Sequence, residues 1–329
     1  MNAPGAVFVT GGSGFIGGRL IRRLVGDGRR VRALARSDDA AEKVAGAGAE
    51  PVRGDLSDPA ALRAGAAGCE VAFHAAAAVL EWGPRQEFVR ANVDGTKHVL
   101  EASREAGVRR FVHVGTEAAT MAGQPLVNID ETAPLRPDSK ADYCATKALA
   151  EQAVRAANGG GLETIVVRPR LVWGPGDTTI LPGVVEAVRA GRFRWIAGGR
   201  HETSTTHVDN VVEGLVLGAE RGRPGEAYFV TDGDPVVFRD FITELVGTHG
   251  VQIPDKGLPR GLAGAVAAAS EAVFRTLRLK GTPPLTRTAY WLSALECTID
   301  TSKAREELGY EPVRTIEDGM AELRAASAG

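Results

Sequence analysis

Val7-Phe8-Val9-Thr10-Gly11-Gly12-Ser13-Gly14-Phe15-Ile16-Gly17 is the stretch on which the fold turns. A β-branched and aromatic run breaks into glycines. The glycines open onto Gly18-Arg19-Leu20-Ile21-Arg22-Arg23-Leu24-Val25, where apolar residues recur at helical spacing. Strand, glycine turn and helix in that order form the opening unit of a dinucleotide-binding fold. Glycine has no Cβ, so the backbone can turn sharply, approach a pyrophosphate and let the helix lie against the strand. The helix N-terminus then offers unpaired N–H groups and the positive end of its dipole to the phosphates. Two frames are open: Gly12, Gly14 and Gly17 read as GxGxxG, and Gly11, Gly14 and Gly17 as GxxGxxG. The expected contacts of this turn are Gly11, Gly14, Phe15, Ile16 and Gly17.

Working outward, strand and helix signals alternate. Val31 to Ala35 reads as a second strand, Glu42 to Ala45 as part of a short helix, and Val71 to Ala75 as a buried strand. Arg85 to Ala106 reads as one long helix carrying Asn92, and Arg110 to Gly115 as a strand. Tyr143 to Asn158 is a helix and Thr164 to Arg168 a strand. Such alternation predicts a doubly wound parallel α/β sheet covered by helices on both faces. After Arg168-Pro169 the pattern loosens, with a turn at Gly174-Pro175-Gly176-Asp177 and a helix from Pro182 to Ala190. It returns to the sheet with a helix over Val211 to Ala219 and a strand over Ala227 to Thr231. From Asp232 onward the chain reads as mostly helical. The division expected is residues 1–172 with 203–232 for the dinucleotide-binding domain, and 173–202 with 233–329 for a smaller, mostly helical substrate-binding cap.

The composition is that of an ordinary globular chain: 329 residues, 44% hydrophobic and 24% charged. A net charge of −2 gives no reason to invoke nucleic acid or an anionic membrane as partner. Cys69, Cys144 and Cys297 are odd in number, far apart and without metal-ligand spacing, which suits a reducing cytoplasm and no metal site. No basic stretch precedes the first apolar run, so no secretory signal is expected. No segment approaches the roughly 20 apolar residues of a membrane span. The nearest, Leu262 to Leu279, is interrupted by Glu271, Arg275 and Arg278 and reads as an amphipathic or partly buried helix.

Tyr143 and Lys147 stand four apart on a helix and so share a face. An ammonium close to a phenol favours phenolate, so the pair is expected to lower a pKa normally near 10. That would give a general acid/base for an alcohol or carbonyl oxygen. Such pairs also arise on helices by chance. The strand Phe111-Val112-His113-Val114 adds a second element, because it ends at Gly115-Thr116, where open α/β sheets place their ligands. A Thr116 hydroxyl there could hold a substrate oxygen near Tyr143. His74, His113 and His207 read as packed structural residues.

Glycine turn, strand-end hydroxyl and Tyr-x-x-x-Lys together resemble the extended short-chain dehydrogenase/reductase superfamily, of the epimerase/dehydratase type. The resemblance covers nearly the whole chain. It includes Gly54-Asp55-Leu56, His74-Ala75-Ala76, Asn92-Val93-Asp94-Gly95-Thr96, Arg168-Pro169, Gly174-Pro175-Gly176-Asp177 and His207-Val208-Asp209-Asn210. It implies Thr116, Tyr143 and Lys147 as the catalytic group, with Thr120 the fallback for Thr116, and Lys147 also on the nicotinamide ribose. It implies Asp55 and Leu56 at the adenine, Ala75 and Ala76 at the strand end facing the cofactor, and Arg168-Pro169 beside it. Asp55 reads equally well as part of a helix start, given Ser57-Asp58-Pro59. Relatives commonly dimerise through the helices corresponding to Arg85–Ala106 and Tyr143–Asn158, so a homodimer is compatible with the resemblance.

Cofactor choice turns on Ala35-Arg36-Ser37 at the end of the second strand. An NAD-selective site usually places Asp or Glu about 20 residues beyond the glycines. Arg36 instead suits a 2′-phosphate and Ser37 can add a donor, although Asp38 and Asp39 follow. NADP(H) is therefore expected, with NAD(H) the alternative. Arg168 to Asp177, Thr206 to Asn210 and Pro283-Pro284-Leu285-Thr286 resemble the 3β-hydroxysteroid dehydrogenase-like members most. An apolar cap helix over Leu258 to Lys280 would suit a hydrophobic small-molecule substrate, steroid-like or otherwise terpenoid, and would equally suit the core of the cap. The expected function is interconversion of a secondary alcohol and a ketone. The alternatives are a nucleotide-sugar epimerase or dehydratase, and a non-catalytic cofactor sensor.

Overall fold

A computed structural model of the chain describes residues 5–79 and 82–327, so the outermost residues of both expected domains lie outside the described residues. Seven parallel strands form the central sheet: β1 (Ala6–Thr10), β2 (Val31–Ala35), β3 (Glu50–Arg53), β4 (Cys69–His74), β5 (Arg110–Val114), β6 (Glu163–Pro169) and β7 (Ala227–Val230). Their order is β7-β6-β5-β4-β1-β2-β3. The chain reverses direction across the sheet between β1 and β4, which opens a crevice at the carboxyl ends of those two strands.

Period-two alternation in each strand feeds two cores. Val7, Val9, Val112, Val114, Ile165 and Val167 face one side, under α1 (Phe15–Gly26) and the helix Val208–Arg221. Phe8, Ala72, Phe111 and Val166 face the other, under Val99, Leu100 and Val154 of the helices that carry the site. Burial on both faces explains why the strands read as continuous apolar runs.

One expectation is corrected. The helix over Arg85–Ala106 is not one α-helix. It runs as α-helix over Arg85–Phe88, as π-helix over Val89–Asp94 and again as α-helix over Gly95–Glu105. Asn92 is the reason: its side chain turns inward to hold the backbone of Ala78, with Oδ1 accepting from Ala78 N at 2.7 Å. The cap, mostly helical as expected, also holds strands. Leu126–Ile129, Glu202–Thr203, Val236–Val237 and Cys297–Ile299 make a four-stranded sheet, drawing strands from both sides of the expected division. The cap core is Leu171, Trp173, Leu181, Trp195, Phe238, Phe241 and Met320. The helix expected over Leu258 to Lys280 occupies Arg260–Thr276.

Candidate active site

The glycine turn follows β1 directly. Gly11 takes a left-handed φ of 75°, and a Cβ there would lie 2.6 Å from the carbonyl carbon of Ala75. A Cβ on Gly17 would lie 2.1 Å from Gly11 O, so α1 can close onto the turn only with glycine at that position. Gly11 and Gly17 are thus the positions closed by backbone, whereas a Gly12 Cβ would meet side chains, Ile21 at 2.6 Å and Ala33 at 3.0 Å, and a Gly14 Cβ only Gly11 O at 3.3 Å. Gly14 is the N-cap of α1. No side chain caps the helix and no acidic residue stands in its first turn. The open N–H groups around Phe15, Ile16 and Gly17 beside Ala75-Ala76 make a cradle suited to a pyrophosphate.

At the rim of the crevice Arg36 and Ser37 are exposed. Ser37 caps the next helix, accepting from Ala40 N. Asp38 pairs with Arg53 and Asp39 with Lys43, and among the described residues Arg36 has no ion-pair partner. Asp55 is exposed and accepts from both Ser57 N and Ser57 Oγ, at 2.6 Å each; these bonds hold its carboxyl below the usual range. The helix start after it is capped by Asp58. Leu56 packs against Gly95, and its carbonyl meets His98 Nδ1 at 2.8 Å.

The helix Asp142–Ala156 brings Tyr143 and Lys147 against the end of β5. Lys147 is buried, and its Nζ donates to Val114 O at 2.8 Å and lies 3.5 Å from His113 Nε2. Burial pulls its pKa down to about 8. Tyr143 lies beside Thr116. Contrary to expectation, its phenol is held above its ordinary range rather than below it, because burial and then the Glu117 carboxylate favour the neutral form. The shared helix face does not bring the ammonium onto the phenol, because Lys147 is drawn to a strand carbonyl instead. Thr120 does not compete with Thr116; its hydroxyl donates to Glu117 O at 2.8 Å.

Three features of the site had no place in the sequence reading. Glu117 is buried, accepting from Thr116 Oγ1 at 2.8 Å on one carboxylate oxygen and from Arg170 Nη1 at 2.6 Å on the other. Thr116's only proton is thereby directed to Glu117, which leaves its oxygen as an acceptor toward Tyr143. Asn92 donates from Nδ2 to Thr146 Oγ1, three residues past Tyr143, tying the π-helical turn to the helix that carries Tyr143. Asp142 receives Arg85 at 2.9 Å and Arg275 at 2.7 Å, and so links three helices at the residue before Tyr143. A strand-end Thr-Glu was the available signal for Glu117, whereas its arginine partner lies 53 residues away.

Arg168 is not placed at a cofactor surface. It is fully buried, its guanidinium paired with Glu151 and stacked 5.1 Å above Phe229. Pro169 ends β6 and pairs with Val230. His74 is packed and neutral, as expected. Thr96 donates to Asn92 O, so His74 Nε2 must donate to Thr96, and Nδ1 accepts from Thr10 at 2.6 Å. Burial depresses its pKa to about 3.

The chain is similar along most of its length to known proteins. The profile of the "3-beta hydroxysteroid dehydrogenase/isomerase family" matches residues 8–260. A 4-hydroxy-2-methyl-3-oxo-4-farnesyl-3,4-dihydroquinoline-1-oxide ketoreductase from Stigmatella aurantiaca is 48% identical, over 97% of this chain and 96% of its own. A 3-beta-hydroxysteroid dehydrogenase from Mycolicibacterium neoaurum is 33% identical over 97% and 90%. A dTDP-glucose 4,6-dehydratase from Streptomyces venezuelae, solved with NAD bound, has the same fold at 23% identity. Its TM-score is 0.77 over 97% of this chain and 96% of that one. With sequence and fold in agreement along almost its full length, the chain belongs to the 3-beta hydroxysteroid dehydrogenase/isomerase family and is an oxidoreductase of hydroxyl and keto groups.

Proposed function

We propose that this chain is an NADP(H)-dependent reductase that converts a ketone on a hydrophobic small molecule into a secondary alcohol, and that Tyr143, Lys147 and Thr116 carry the reaction. The observation that carries this reading is the placing of Tyr143 beside Thr116 and Glu117 at the carboxyl end of β5, where burial and then the Glu117 charge keep a proton on the phenol for transfer. The bound cofactor would supply hydride to the carbonyl carbon. Tyr143 delivers its proton to the carbonyl oxygen, so one hydride and one proton account for the alcohol formed. Lys147, anchored by Val114 O, presents positive charge beneath the site and a donor to the ribose. Thr116 fixes the phenol's orientation. Gly11, Gly14 and Gly17 with the start of α1 hold the pyrophosphate, and Ala75-Ala76 walls it in.

NADP(H) is preferred because Arg36 is exposed without an ion-pair partner among the described residues, while the nearby acids are engaged with Arg53 and Lys43. The apolar substrate class is supported by the farnesyl-bearing ketone and the steroid in the names of the two relatives. In the division proposed, residues 1–172 and 203–232 bind the cofactor, and 173–202 and 233–329 cover the substrate.

The test is NADPH oxidation with a panel of apolar ketones. Tyr143→Phe is expected to lose roughly 100-fold or more in kcat with NADPH affinity retained, the scale of a positioned acid. Retained turnover would remove Tyr143 from the mechanism, and turnover of a nucleotide sugar without net NADPH loss would replace the reaction. Arg36→Asp is expected to shift the NADPH/NADH ratio of kcat/KM at least about tenfold toward NADH, the weight of one charged hydrogen bond. An unchanged ratio would refute the cofactor choice.

A further inference from the structure

Arg170 follows directly on β6 and is fully buried. Its backbone is fixed by one hydroxyl: Thr206 Oγ1 accepts from Arg170 N at 3.1 Å and donates to Arg170 O at 2.9 Å. Its guanidinium then reaches in two directions. Nε donates to Thr203 Oγ1 at 3.0 Å, and Nη1 donates to Glu117 Oε1 at 2.6 Å. Thr203 belongs to the cap sheet, where its strand pairs with Val236–Val237 on one side and with Cys297 on the other. Glu117 in turn accepts from the Thr116 hydroxyl. Four buried side chains thus run without a break from a cap strand to the residue beside Tyr143.

Packing alone does not account for the arginine. A buried ion pair is often no more stabilising than apolar groups of the same volume, because both charges must leave water. The penalty is larger here, since Arg170 Nη2 is buried with no hydrogen-bond partner among the described residues. What an apolar side chain would not supply is direction and charge. The groups that face Glu117 are Tyr143 and Cys144 of the helix Asp142–Ala156, Cys297 of the cap sheet, and Arg170. Burial foremost keeps the phenol and both thiols neutral, which leaves Arg170 as the countercharge of the carboxylate. A buried carboxylate without a countercharge takes up a proton. Once protonated it can donate to Thr116 instead of only accepting, and the direction of that hydroxyl is no longer fixed.

We propose that Arg170 is a positioning residue for the reduction: through Glu117 it fixes Thr116 as an acceptor beside Tyr143, and through Thr203 it makes that alignment depend on the seating of the cap strand. The inference rests on the reading in which Tyr143 and Thr116 carry the reaction. Arg170 acts through Glu117 and Thr116 rather than on the reacting atoms.

The experiment is the pH profile of kcat with NADPH and whichever ketone of the panel turns over fastest, with NADPH affinity measured alongside. In R170M, kcat is expected to fall as the pH drops through about 7, where an unpaired buried carboxylate takes up its proton. NADPH affinity should stay at the parental value. E117Q/R170M has no carboxylate left to titrate, so the added limb should vanish, and it should melt above R170M because no charge is left unpaired. T203V keeps both charges and removes only the anchor in the cap. It should lower kcat roughly tenfold at unchanged NADPH affinity, the weight of one hydrogen bond to a charged group, and T203S should restore most of the loss. A parental profile in R170M, or an added limb that survives in E117Q/R170M, overturns the proposal. If R170M does not fold, T203V decides, and parental kcat there overturns it. Tyr143→Phe keeps the two readings apart. Retained turnover in that variant, or no ketone reduced at all, defeats the reading of the reaction and this inference with it. An inactive Tyr143→Phe beside a parental R170M defeats the role of Arg170 alone.

Discussion

Glu117 illustrates how a single residue sets the chemistry of its neighbours. Its carboxylate divides between Thr116 and Arg170, both buried, and its charge adds to burial in keeping the Tyr143 phenol neutral. Glu117→Gln keeps an acceptor for Thr116 but leaves Arg170 buried and uncompensated, so stability should fall by about 3–5 kcal/mol in denaturant titration. Removing the negative charge also favours phenolate. The alkaline limb of reductive kcat/KM should therefore move to lower pH, an effect a purely structural residue would not produce. Glu117→Asp should restore part of the profile. An unmoved limb in Glu117→Gln would confine Glu117 to packing. At this scale the placing of Thr116 at the end of β5 and of Tyr143 and Lys147 on one helix was legible, because strand ends and helical spacing are read locally. Their electrostatics were not, since burial and Glu117 outweigh the helical spacing of tyrosine and lysine.

Among the elements, the glycine turn is the most fully determined by local sequence. Gly17 cannot carry a side chain without displacing Gly11 O, a backbone atom only 2.1 Å from the Cβ position. Gly17→Ala is expected to cost about 1–3 kcal/mol as overpacking. It should also weaken NADPH binding by opening the turn, and both effects can be read by thermal shift with and without nucleotide. Full nucleotide-induced stabilisation in the variant would show that the turn does not cradle the phosphates. The buried strands β1, β2, β4, β5, β6 and β7 were readable as apolar runs. The edge strand β3 was not, since Glu50, Pro51 and Arg53 are exposed. Nor were the short strands of the cap, which exist only because distant segments pair, as Leu126 does with Cys297. The π-helical turn likewise depends on Asn92 finding Ala78 and Thr146, neither of them in its own helix.

For the molecule as a whole, buried neutral histidines set the response to acid. His74 is held down to about 3 and His113 well below its ordinary value, both by burial first and the Lys147 charge second. Their folded pKa values lie below the unfolded value near 6.5, so below that pH the unfolded chain takes up protons that the native state refuses. Stability should fall by up to about 1.4 kcal/mol per pH unit for each histidine. Tm should accordingly drop between about pH 7 and pH 5, above the range where most carboxylates titrate. A flat Tm there would mean that both residues accept protons in the folded state. Charge carries a similar lesson about scale: a net −2 averages away the basic, apolar outer face of helix Arg260–Thr276.

By itself the sequence determined the parallel α/β sheet, the glycine turn and the placing of Thr116 at a strand end and of Tyr143 and Lys147 on one helix, because each is encoded by local periodicity, by glycine or by short spacing. Only the tertiary structure decided that Arg168 is an internal ion-pair partner, that Glu117 and Arg170 flank the tyrosine, and which face of the cap helix meets solvent. Those are outcomes of burial and of contacts between segments far apart in the chain, and spacing along one helix or strand carries no record of them.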